Sequence, residues 1–115
     1  KHCVACHQVT GQGIPAVFPP LDGSPYVTGD NLERMASIML YGLMGPVHVN
    51  GTPYNSAMAP FAAQMTDDEL AAVASYIRSS WSNKAGELKP DVFVAMRKKW
   101  GSRGPFNISE LGEEK

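Results

Sequence analysis

The sequence predicts an all-α fold, a few helices joined by long irregular loops. Three observations carry this expectation. Apolar residues recur at helical spacing, about 3.6 residues, in segments with recognisable ends. The 11 glycines and 9 prolines cluster between those segments, where they break regular structure. No run is convincing as a strand. At 115 residues the chain has room for one ordinary core. With 43% apolar and 18% charged residues, the composition is globular rather than disordered. Apolar runs are short, so no membrane span is expected. A formal net charge of −1 argues against a nucleic-acid binder.

Residues 1–7 hold both cysteines. Residues 8–29 read as a long loop, punctuated by Gly11, Gly13, Pro15, Pro19, Pro20, Gly23, Pro25 and Gly29. Such loops in small domains are commonly functional. Asp30 is placed to cap a helix over 31–41, where Leu32, Met35, Ala36 and Met39 keep helical spacing. Gly42 and Gly45-Pro46 end it, and a second loop runs 42–65. The strongest helix is 67–81. Thr66 and Glu69 form a capping box. Asp67 and Asp68 oppose the positive end of the helix dipole, and Leu70, Val73, Ala74, Ile77 and Trp81 make an apolar stripe. A polar linker, 82–89, leads to a last helix over 90–100, which Pro90 starts. Residues 101–115 read as an extended tail. The division is therefore a main unit over 1–82 and an appended linker, helix and tail over 83–115.

The chemistry sits in Cys3-Val4-Ala5-Cys6-His7. This C-x-x-C-H spacing is the attachment signal for c-type haem. Two thiols add across the two porphyrin vinyl groups, and the next residue places an imidazole under the iron. Rival readings are zinc, a thiol redox motif and a simple disulfide. Zinc wants about four ligands, commonly with a second spaced pair, and beyond the motif only His2 and His48 remain. A thioredoxin-type motif wants a βαβ context that the helical pattern lacks.

An electron-transfer haem takes a second axial ligand, often a methionine thioether. There are six methionines. Met35 and Met39 lie on a helix stripe and read as core. Met96 lies on the last helix, remote from the motif. Met58 is favoured because Asn55-Ser56-Ala57-Met58-Ala59-Pro60 is a loop of small residues that lets the backbone approach a flat ring. Met44, Met65 and His48 remain as alternatives.

Together these segments resemble class I monohaem cytochromes c. The likeness is carried by the Cys3–His7 motif, the Gly11–Leu21 loop, the segment Asn50-Gly-Thr-Pro-Tyr-Asn-Ser-Ala-Met58, and the helix Thr66–Arg78. It is similar in particular to cytochrome c subunits and domains found with periplasmic dehydrogenases, copper nitrite reductases and haem–copper oxidases. The resemblance implies a small helical fold wrapped around one covalently attached haem c, bound through Cys3 and Cys6, with His7 and Met58 as axial ligands. It implies that a proline carbonyl, Pro19 by position with Pro20 next, accepts a hydrogen bond from the His7 ring, a contact that raises ligand basicity. Leu21 would pack on the haem face, and Tyr54 and Asn55 would reach its edge or a propionate; ordinary loop residues are an equal reading of those two.

Two departures stand out. Ala59 intervenes between Met58 and Pro60, where relatives often have Met-Pro. The family also has a helix before the haem motif, and here only Lys1 and His2 precede Cys3. Either the sequence is a piece of a longer chain, or the last helix or a partner covers the face bearing Val73, Ala74 and Ile77. The expected function is one-electron transfer with redox partner proteins or as part of a larger respiratory enzyme, without enzymatic activity of its own. Haem attachment of this kind implies maturation outside the cytoplasm, and the resemblance implies the bacterial periplasm or the outer face of a membrane. An open-site haem sensor or enzyme and a zinc module are the alternatives. Arg97, Lys98, Lys99 and Arg103 offer either a docking patch or a solvated helix end that favours the dipole.

Overall fold

A computed structural model describes residues 11–13, 20–55, 57–58 and 60–112. In chain order its elements are α1 (Pro25–Thr28), α2 (Leu32–Tyr41), β1 (Val47–Val49), β2 (Thr52–Tyr54), α3 (Asp67–Ser79), α4 (Pro90–Trp100) and a 3₁₀ turn at Ile108–Glu110. Among the described residues the regular structure is mainly helical, and the three expected helices are present.

Each helix starts for a local reason. The Ser24 hydroxyl accepts from the Tyr26 N–H ahead of Pro25, so one turn of helix interrupts the loop expected over 8–29. For α2 the cap is Asn31, whose Oδ1 accepts from the Arg34 N–H at 3.0 Å, and not Asp30. The amide one residue later is better placed than the carboxylate. The capping box of α3 is complete: Thr66 Oγ1 accepts from the Glu69 N–H, and Glu69 Oε1 accepts from the Thr66 N–H. That helix ends at Ser79, short of the expected 81. Trp81 lies beyond it with φ +54°, a left-handed backbone no helix accommodates, so its indole leaves the apolar stripe. Pro90 and Gly101 bracket α4.

The expectation of no strand is corrected by the β1–β2 hairpin, paired Val47 with Tyr54 and Val49 with Thr52. Asn50 and Gly51 both have positive φ, 52° and 83°. Two such central residues suit a tight hairpin turn.

The core of α2, α3 and α4 centres on Leu40, Leu70, Leu88, Phe93 and Phe106, all fully buried. Helix α4 lies against both others. With it in place Ala74 and Ile77 are buried and Val73 is half-buried, whereas Tyr76 remains 67% exposed. The tail expected to be extended folds back instead. Phe106 packs edge-on against Trp100 and Tyr41, and Ile108 joins Val47, Val49 and Tyr54 in a smaller cluster. Two large apolar side chains in a segment without period are enough to anchor it.

Candidate functional site

Between α1, α2 and the hairpin lies a cavity of about 100 Å³ that is open to solvent. Its walls come from the first loop, α1, α2, β1, the Met58 loop and α3. Pro20 and Leu21 approach from the first loop, Val27 from α1, and Met35, Ile38 and Met39 from one face of α2. Leu43, Val47 and Val49 close one side, Ile77 of α3 the back, and Met58 the loop side. Helical spacing sets the α2 face, and strand alternation points Val47 and Val49 the same way.

The loop walls are fastened by buried polar side chains that the sequence did not single out. Asn83 accepts from the Gly23 N–H at 2.7 Å and donates to the carbonyls of Leu21 and Ile77 at 3.1 and 2.9 Å. Arg78 donates to the carbonyls of Val27, Gly29 and Gly86 at 2.7 to 3.1 Å. Both side chains are buried. In the sequence they read as a helix-end cation and a linker residue, because nothing local marks a polar group that binds distant carbonyls. Asn50 adds a bond from its Nδ2 to the Gly23 carbonyl at 3.2 Å. Outside the cavity, Asp22 accepts from the Ser82 hydroxyl and N–H and from Gln12, which hold its carboxyl below the usual range.

Met58 is placed by backbone pairing. Its N–H donates to the Leu43 carbonyl at 2.6 Å, and its carbonyl accepts from the Leu43 N–H at 3.3 Å. Its rivals do not line the cavity: Met44 is 47% exposed, Met65 packs at the start of α3, and His48 is half-buried on β1. Met35 and Met39 are buried in the core, as expected, and also reach the wall. Leu21 lies on the wall. Tyr54 is buried beside Val47 and Ile108 and does not line the cavity, and Asn55 is exposed outside it. Cys3, Cys6, His7 and Pro19 lie outside the described residues. The four cations, read either as a docking patch or as a solvated helix end, are divided. Arg97 pairs with Asp67 at 2.6 Å, and Arg103 with Glu110 at 3.1 Å, leaving Lys98 and Lys99 exposed.

These walls fit a large apolar cofactor that takes a soft axial ligand. Among the described residues the wall carries thioethers and hydrocarbon, with Ser24 and Tyr26 as its polar members, and no carboxylate or cation. No helix among them is long and apolar enough to cross a membrane.

Comparison with known proteins agrees with this chemistry. A family model described as Cytochrome c matches residues 1–81. Cytochrome c-552 of Thermus thermophilus is 36% identical over 120 aligned residues, covering 86% of this chain and 91% of the relative. The cytochrome c subunit of a quinone alcohol dehydrogenase from Gluconacetobacter polyoxogenes is 34% identical over 85 residues, 74% of this chain but 18% of that subunit. A thiosulfate dehydrogenase electron acceptor from Stutzerimonas stutzeri is 33% identical over 85 residues, 74% of this chain and 35% of the relative. The chain belongs to the cytochrome c family, as an electron-transfer protein rather than an enzyme, binding one covalent c-type haem.

Proposed function

We propose that the chain passes single electrons through a haem bound by Cys3 and Cys6 and ligated by His7 and Met58. The observation that carries the ligand assignment is the position of Met58: a loop thioether on an apolar cavity wall, paired through its backbone to Leu43. When bound, the haem supplies the one-electron iron couple. The protein's own part is positional. Leu21, Val27, Ile38 and Val49 exclude water from the site, and low polarity there raises the potential. The Met58 backbone pairing holds its thioether on the cavity wall. Pro19 is proposed to hold the His7 ring, and Tyr54 and Asn55 to support the cofactor from outside the cavity.

We infer a bacterial periplasmic setting and a redox partner of the dehydrogenase or oxidase kind. Relatives named as dehydrogenase subunits and as an electron acceptor support that reading. The test is the visible spectrum of oxidised and reduced protein, with and without carbon monoxide, in wild type and Met58→Ala. The expected result is a c-type spectrum with a thioether–iron band that the substitution abolishes, and no carbon monoxide shift in wild type. Ready binding of carbon monoxide by wild type would instead mean an open sixth site. A colourless protein purified from cells competent for haem attachment would overturn the haem assignment.

A further inference from the structure

We propose that the C-terminal segment 101–112 is a positioning element for Met58, acting through the strip Gly42–Met44; this rests on Met58 being the axial ligand. The strip is paired on both sides. On one side Leu43 exchanges both backbone hydrogen bonds with Met58, at 2.6 and 3.3 Å. On the other, the Met44 N–H donates to the Phe106 carbonyl at 2.8 Å, and the Phe106 N–H donates to the Gly42 carbonyl at 3.1 Å. Leu43 is thereby bridged antiparallel to Met58 and parallel to Phe106. A short three-layer ladder runs from the buried tail to the thioether loop.

The outer rung is well anchored. Phe106 is fully buried and meets the rings of Trp100 and Tyr41 edge-on, at 4.9 and 6.0 Å between centroids. The Arg103 guanidinium lies 3.7 Å from the Phe106 ring centroid and pairs with Glu110. The Glu110 carboxylate in turn accepts from the Asn107 N–H at 2.9 Å. Gly45 fits against Asn107 so closely that a Cβ there would come within 2.5 Å of its Oδ1. The strip Gly42–Met44 therefore cannot drift while the tail is seated.

Loops are more mobile than the elements they join. A ligating side chain has to be held within about 0.5 Å of its working position. Met58 sits in such a loop, and its described backbone partner is a strip that the tail holds from behind. The tail lies beyond residues 1–81, which the family model covers. This support is a feature of the chain outside that common part.

Release of the tail raises the fraction of protein with Met58 off the iron, so an external ligand binds more tightly by that fraction. The experiment measures imidazole binding to the ferric holoprotein, the thioether–iron band and the thermal midpoint. Phe106→Ala is expected to bind imidazole about tenfold more tightly with a weakened band, and Phe106→Leu to return both toward wild type. Leu88→Ala, as deeply buried but off the ladder, is expected to lower the midpoint without that gain. If Phe106→Ala does not fold, Arg103→Ala with Glu110→Ala releases the tail from its exposed side and is judged by the same readings. Unchanged imidazole affinity in the tail variants, or an equal gain in Leu88→Ala, overturns the proposal. If Met58→Ala leaves the wild-type band unchanged, it is the ligand assignment that fails; if it abolishes the band while the tail variants behave as wild type, the positioning role alone fails.

Discussion

Asn83 shows how one amide fixes a cavity wall. It bonds the Gly23 N–H and the carbonyls of Leu21 and Ile77 from a buried position. Removing a buried partner leaves those groups unsatisfied, at about 1–3 kcal/mol each. Asn83→Ala is expected to lower stability by about 2–4 kcal/mol, whereas Lys84→Ala, exposed next door, stays within about 0.5 kcal/mol. Urea denaturation of the two variants checks this. In the sequence, spacing points to Cys3, Cys6 and His7, which lie outside the described residues, and small neighbours point to Met58, which the fold sets on the cavity wall. Asn83 and Arg78 were not legible, because their partners are backbone carbonyls far along the chain. Tyr54 and Asn55, placed by likeness at the cofactor's edge or as ordinary loop residues, do not line the cavity wall.

Among the elements, the helices were readable because caps and period agree. Thr66 with Glu69 and Pro90 with Gly101 mark ends that the structure keeps. The hairpin had a signal too. Asn50-Gly51 between Val-His-Val and Thr-Pro-Tyr is a strong two-residue turn pattern, masked by Pro53, which has no N–H to give a ladder. The end of α4 carries a tie that the sequence does not mark. Arg97 joins it to the start of α3, donating to Asp67 at 2.6 Å and to the carbonyls of Ala62 and Met65 at 2.8 and 2.9 Å. A cation bonded this way stabilises the turn between the Met58 loop and α3. Arg97→Met is expected to lose about 1–3 kcal/mol, the partial exposure of the ion pair reducing its share. Lys98→Met is expected to lose almost none. Thermal midpoints of the two proteins distinguish them.

For the molecule as a whole, two carboxylates tie outlying segments to the core. Asp22 holds the first loop to Ser82, and Glu110 holds the tail through the Asn107 N–H and Arg103. Both carboxyls are held below the usual range by these bonds. Their folded values are depressed, so their contribution is full above the ordinary carboxylate values and is lost as the pH falls through the lowered ones. Acidification below about pH 4 is therefore expected to erase the stability difference between wild type and Asp22→Asn or Glu110→Gln, a difference present at neutral pH. Denaturation curves across that range provide the check. The tail itself was unreadable from sequence, since Phe106 and Ile108 are isolated apolar residues whose seats exist only once α2, α4 and the hairpin are assembled.

The two tryptophans occupy opposite ends of this arrangement. Trp81 lies flat on Gly11, so close that a Cβ at Gly11 would stand 2.7 Å from the ring, while Trp100 packs against Phe106 and bonds Ser37 at 3.0 Å. The chain thus carries two intrinsic fluorophores, one reporting on the segment that follows the cysteine motif and one on the seated tail. In single Trp→Phe variants, emission lifetimes would follow the opening of each end separately, without an added label.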